Sequence, residues 1–173
     1  MKKWNLKSIV KELAVAGLII IILINIINYI RQPKLSSNLL PKIEVKLLDG
    51  SMYSVDSTKP LVLHFWGTWC PTCKLEIGNI EYISKQYEML TIAVNSDAVG
   101  TIGEQRNLKK YMKDRGLTFR VVNDTKGEWA ERFNVEAYPT TFIYDGTGEL
   151  QFTEVGYTST AGLLSRLAYI KNK

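Results

Sequence analysis

Two cysteines occur in this 173-residue chain, Cys70 and Cys73, within the stretch LVLHFWGTWCPTCKLE. Their CxxC spacing suits thiol–disulfide exchange. Leu61 to Trp66 follows Pro60 as a block of β-formers and aromatics, which predicts a buried strand. Gly67 and Thr68 make the turn out of it. Pro71 fits the first turn of a helix, where a missing N–H costs nothing. Helical period begins at Cys73. Cys70 is therefore expected at or just before a helix N-terminus, with Cys73 one turn in. Unpaired N–H groups and the positive end of the helix dipole would stabilise a thiolate at Cys70. Cys73 could then attack the mixed disulfide that Cys70 forms with a partner. Half of a zinc site has the same CxxC pattern, but a chain with two cysteines cannot supply four thiolate ligands.

Glu76 is the third candidate. Cys73, Glu76, Ile80, Ile83 and Tyr87 fall on one stripe at helical spacing, and Glu76 fills a slot where that pattern calls for an apolar residue. A half-buried carboxylate holds its proton more tightly than usual and could exchange it with the resolving thiol. A surface glutamate beside Lys74 is the plain alternative. Trp66 reads as core and Trp69 as a surface contact. His64, the single histidine, lies on the buried strand and reads as a hydrogen-bonded core residue rather than a copper ligand. Pro139 stands immediately before a predicted strand, where it cannot donate to a sheet. A cis Tyr138–Pro139 bond would explain it; a trans edge proline is the alternative.

The elements that must position these residues follow in order. Lys42–Leu47 and Met52–Val55 predict a hairpin through Asp49-Gly50. Strand 61–66, a helix from about Cys73 to Glu88, and strand 90–95 make a right-handed parallel crossover. Such sheets carry their sites beyond the strand carboxyl ends, where Cys70 lies. Ser96–Gly103 reads as a loop, Glu104–Arg115 as an amphipathic helix, Phe119–Val122 as a strand ending at an Asn123-Asp124 turn, and Lys126–Phe133 as a short helix. Strands 140–144 and 150–155 form a hairpin over DGTG, and Thr160–Ile170 closes the chain as a helix. Together these predict an α/β fold with a mixed sheet and helices on both faces.

Charge and hydropathy divide the chain. Residues 13–30 carry no charge and are long enough, at ~27 Å, to cross a bilayer core. Lys2, Lys3, Lys7 and Lys11 precede them, so the expected topology is a cytoplasmic tail (1–12), a transmembrane signal anchor (13–30), a linker (31–41) and a domain (42–173) outside the cytoplasm. A cleaved signal peptide would have a shorter apolar core ending in small residues; here bulky NIINYIRQP follows. The net charge of +5 is concentrated in that tail, leaving +2 on residues 31–173, so nothing argues for nucleic-acid binding. A chain stripped of all cysteines but a working pair suits an oxidising compartment.

WCPTCKLE after an apolar strand, with YPTTF further on, resembles the thioredoxin-like proteins of the TlpA, ResA and CcmG type. KLEIGNIEYI, VVNDTKGEWAERFNV and the closing EVGYTSTAGLLSRL are most similar to the suppressor-of-copper-sensitivity D branch, membrane-anchored disulfide oxidoreductases. The resemblance runs over most of the chain after residue 42. It implies a thioredoxin-like fold with an N-terminal β-hairpin, and a redox-active Cys70–Cys73 disulfide with no cofactor and no metal. It also implies a cis Pro139 lying against the cysteines. Trp69, Pro71, Thr72, Tyr138 and Pro139 would then form the surface that meets a disulfide-bearing substrate protein. It implies a location in the bacterial inner membrane with the domain in the periplasm, an electron donor of the DsbD or ScsB type, and thiol protection under copper stress. The reductive direction comes from the resemblance alone, since pairs of this fold span ~150 mV. A copper- or metal-binding thiol module would need a third ligand that the sequence does not offer. A thiol peroxidase would need a TxxC setting, whereas Thr68 stands two residues before Cys70. A structural disulfide would close too small a loop to gain much chain entropy.

Overall fold

The computed structural model describes residues 6–56, 58–95 and 107–171. The chain divides into two compact units, Met1–Gln32 and Pro33–Lys173. The first holds α1 (Leu6–Arg31). Its segment Ile9–Arg31 is long and apolar enough to span a membrane, and Leu13 and Leu18 to Leu23 are all exposed.

The second unit is built on a five-stranded sheet in the order β5-β4-β3-β6-β7. These are β3 (Leu61–Trp66), β4 (Glu88–Val94), β5 (Val121–Asp124), β6 (Thr140–Tyr144) and β7 (Leu150–Val155). β3, β4 and β5 run parallel; β6 is antiparallel to β3 and to β7. A separate hairpin pairs β1 (Glu44–Lys46) with β2 (Met52–Ser54). Its turn needs Gly50 at φ +97°, a backbone conformation that side chains resist. This is the mixed sheet, with helices on both faces, that the sequence predicts.

The central strand β3 is buried on both sides, so its six residues serve two cores. Val62 and Trp66 face α2 (Pro71–Ser84), α3 (Leu108–Asp114) and α5 (Thr160–Lys171), through Ile80, Ile83, Leu108, Leu163 and Leu167. Leu61, Leu63 and Phe65 face the hairpin and α4 (Glu128–Arg132), through Ile43, Val45 and Phe133. Each such side chain contributes about 1.5–3 kcal/mol when fully buried. Trp66 is core as expected, edge-on to Phe119 with ring centroids 5.8 Å apart. Trp129 and Phe133, one turn apart, stack at 6.3 Å.

Several boundaries differ from the sequence reading. α2 ends at Ser84 rather than Glu88, and Glu88 opens β4 opposite Leu61. Its carboxylate is taken by Tyr53 Oη and by Arg120, contacts that local sequence does not show. β5 is shifted to Val121–Asp124, so the Asn123-Asp124 pair lies inside the strand, aligned with Ala93 and Val94. α3 starts after Asn107, whose side chain caps Lys110 N–H at 3.0 Å. The expected loop 96–103, and residues 104–106 of the expected helix, lie outside the described residues. Asn38 and Leu40, in the stretch read as linker, bond to Leu150 and Gly148 at 2.8 and 2.7 Å and so join the β6–β7 turn.

Candidate functional site

The turn between β3 and α2 is held from three directions. The indole of Trp69 folds back over Gly67 so closely that a Cβ there would stand 2.4 Å from Nε1. The same Nε1 donates to the Val94 carbonyl at 2.8 Å. Buried Thr68 donates its hydroxyl to Asn95 Oδ1 at 3.1 Å, tying the turn to the end of β4. With the turn fixed, Cys70 falls on the N-cap of α2 in an extended conformation, and Pro71 takes the first helical position. Cys73 N–H donates to Cys70 Sγ at 3.2 Å, so the sulfur does what a capping oxygen does elsewhere.

Cys70 and Cys73 form a disulfide with Cα atoms 5.3 Å apart. Both are buried, Cys70 at 3% exposure and Cys73 at 1%. Pro71 beside them is exposed and Thr72 half-buried. Across the turn, the Tyr138–Pro139 peptide is cis. The Tyr138 carbonyl oxygen lies 3.6 Å from Cys70 Sγ. The Tyr138 ring stands edge-on to Trp69 at 5.4 Å. Burial pushes its phenol up to about 12, with the Asp124 charge acting in the same direction, so it stays protonated. The structure thus brings Trp69, Pro71, Thr72, Tyr138 and Pro139 around the disulfide.

Glu76 lies one turn after Cys73 on the same buried face, at 0% exposure. Among the described residues neither carboxylate oxygen has a hydrogen-bond partner. Burial pushes its pKa up to about 8, against a weaker opposing pull from the Thr158 backbone, and the Glu154 carboxylate adds to the rise. His64 sits in the core, its Nδ1 2.9 Å from Thr141 Oγ1. Burial lowers its pKa to about 3, so the ring is neutral. Among the described residues no three His, Cys, Asp or Glu side chains gather as a metal site.

Sequence reasoning missed what closes the site over Glu76. Asn79 donates to the Thr158 carbonyl at 3.1 Å and accepts from Thr160 Oγ1 at 2.9 Å, clamping the β7–α5 segment onto α2. Gly156 N–H donates to the Pro139 carbonyl at 2.8 Å, linking that segment to the cis peptide as well. The GYTST motif at residues 156–160 marks this lid, but its contacts are formed across roughly eighty residues of chain.

A family model described as AhpC/TSA matches residues 37–153. A thioredoxin-like protein of Haemophilus influenzae is 30% identical over 95% of this chain and 96% of its own length. The thiol-disulfide oxidoreductase ResA of Geobacillus kaustophilus is 32% identical over 65% of this chain and 64% of its own. Among solved structures, Etrx1, the exposed lipoprotein thioredoxin of Streptococcus pneumoniae, superposes with a TM-score of 0.63. It is 27% identical and covers 75% of this chain and 99% of its own.

Proposed function

The chain belongs to the AhpC/TSA family, and from that premise we propose that it works as a membrane-tethered, extracytoplasmic reductase of protein disulfides. The thiol–disulfide oxidoreductase activity itself follows from the named homologues and the Cys70–Cys73 pair. The observation that carries the rest is the asymmetry of that pair: Cys70 takes the N-cap position of α2, while Cys73 lies one turn in, on the helix face that buries Glu76.

In the dithiol form Cys70 is the thiolate, favoured by the helix N-terminus. It attacks one sulfur of a substrate disulfide and releases the other as a thiolate. The ionised fraction of Glu76, which grows as pH rises toward 8, takes the Cys73 proton, and Cys73 attacks Cys70 Sγ. The intramolecular disulfide forms, the second substrate thiolate leaves, and Glu76 ends protonated. Two electrons pass from the dithiol to the substrate. Trp69, Pro71, Thr72 and the Tyr138–Pro139 edge frame the approach, and the Tyr138 carbonyl offers an acceptor to the substrate backbone.

The spent disulfide needs a reductant. α1 holds no cysteine, so a second membrane protein of the DsbD or ScsB type is the proposed donor. The closing GYTSTAGLLSRL supports the narrower assignment to the suppressor-of-copper-sensitivity D branch, with thiol protection under copper stress as its setting.

Cys73→Ala should leave Cys70 stalled in mixed disulfides that run as reducible adducts on a non-reducing gel. Cys70→Ala should trap none. Adducts with Cys70→Ala but not with Cys73→Ala would reverse the two roles. Hydrogen peroxide consumption at a rate matching disulfide reduction would favour a peroxidase instead.

A further inference from the structure

Glu76 is sealed from solvent, yet in the proposed cycle it must gain and lose a proton each turnover, so whatever surrounds it decides how readily it does so. On its own helix the neighbour one turn back is Cys73. From β3 the same sheet face carries His64, neutral and committed to Thr141 of β6. From the β7–α5 segment come the Thr158 backbone and the exposed Tyr157, whose hydroxyl sits 3.3 Å from Asn79 Nδ2. Besides Glu76, α2 carries Lys74 and Glu81, α5 carries Arg166 and Lys171, and β7 carries Glu154, whose charge is the one that acts on Glu76.

Their placement is fixed by register. His64 pairs with Thr141, and Thr141 pairs with Glu154, so the three lie in one row across the sheet. Ile143 and Phe152, two residues away on β6 and β7, belong to the core under α2 and α5, which puts Glu154 on that face. Arg166 Nε donates to Glu154 Oε1 at 2.5 Å, and its Nη1 donates to the Gly162 carbonyl at 2.9 Å. Its guanidinium also lies over the Phe152 ring at 5.9 Å. Both partners are less than one third exposed. The cation is thus pinned at three points, and it draws toward itself the one carboxylate whose charge acts on Glu76.

We propose that the Glu154–Arg166 ion pair is a positioning device that sets how tightly Glu76 holds its proton. Arg166 holds Glu154 and shields its negative charge. Without Arg166 that charge would act on Glu76 in full and tighten its grip on the proton; without Glu154 the grip would loosen. Rate and direction of the exchange then depend on two residues that never touch a sulfur. The inference rests on Glu76 as the proton acceptor for Cys73.

Opposite responses test it. The Glu76 titration is read by carbon-13 NMR of full-length protein in detergent, with Glu76→Gln identifying the signal. Arg166→Met should move the midpoint up and Glu154→Gln should move it down, each by on the order of half a pH unit. Arg166→Lys should restore most of the wild-type midpoint. The pH midpoint of mixed-disulfide resolution should follow in the same directions. Midpoints that stay put, or that move the same way in both variants, overturn the inference. Should the midpoints split as expected while Glu76→Gln resolves mixed disulfides at the wild-type rate, the tuning holds and Glu76 is not the acceptor.

Discussion

Glu76 shows most directly how one buried group couples stability to chemistry. Its carboxyl titrates near 4.5 when exposed and near 8 in the fold. Below pH 4.5 it is neutral in both states and costs nothing. Between those values the folded chain holds a proton that the unfolded chain has released, so stability falls as pH rises toward 8. Removing the ionisable group should therefore stabilise the protein in the alkaline half of that window. Glu76→Gln should raise stability at pH 7 by on the order of 3 kcal/mol and leave it little changed at pH 4, as read from urea unfolding at the two pH values. The same variant should slow resolution of the mixed disulfide and flatten its pH dependence near 8. A Gln variant no more stable than the parent at pH 7 would mean that the carboxylate is solvated. His64 couples in the opposite sense. Its depressed pKa makes it cost stability as pH falls from about 6.5 toward 3. Acid and alkaline losses thus come from two identifiable buried side chains, His64 of β3 and Glu76 of α2.

Among the elements, α4 depends on a contact that crosses an element boundary. It spans five residues, Glu128–Arg132, too few for stability on local propensity. Its N-cap is Gly127 at φ +77°, which offers no side chain. Asp124, at the end of β5, supplies the missing acceptor: its Oδ2 takes the N–H groups of Trp129 and Ala130 at 3.1 and 3.0 Å. Asp124→Ala should cost about 1 kcal/mol, as a lost N-cap does, and lower the melting temperature by several degrees. Asp124→Asn should recover part of that loss. This contact also explains what the sequence could and could not reveal. The Asn123-Asp124 pair reads locally as a turn, and the carboxylate does turn the chain, but only after the backbone has paired with Ala93 and Val94. The end of α2 was hidden for the same reason, since no Gly or Pro marks Ser84 and pairing with Leu61 recruits Glu88 into β4. Strand β3, the cysteine turn and the stripe through Cys73 and Glu76 were legible because each is written in adjacent residues or helical spacing. The Asn79 clamp and the Glu154–Arg166 pair were not, because side chains far apart in sequence make them.

At the scale of the whole molecule, the division at Gln32–Pro33 bears on where the chemistry takes place. The domain unit carries both cores, the disulfide and the cis peptide. The other unit is a helix whose apolar side chains from Leu13 to Ile30 are exposed almost throughout. Exposed apolar surface of that extent is unfavourable in water by about 25 cal/mol per Å², and a bilayer removes the penalty. In the proposed topology the four lysines before it would keep the N-terminus on the cytoplasmic side, since carrying them across would be costly. The full-length protein should therefore stay with the membrane pellet through an alkaline carbonate wash. Protease added outside intact spheroplasts should digest the domain and leave a small protected fragment. A chain lacking residues 1–32 should be soluble, keep the domain's melting temperature within a few degrees, and reduce a small-molecule disulfide at the parent rate. It should lose reduction by the proposed membrane donor in cells, because a tether would confine the disulfide to the layer where that donor works. Full-length protein found in the soluble fraction with its first thirty residues missing would identify the helix as a cleaved signal, and the donor would then have to meet the domain by free diffusion.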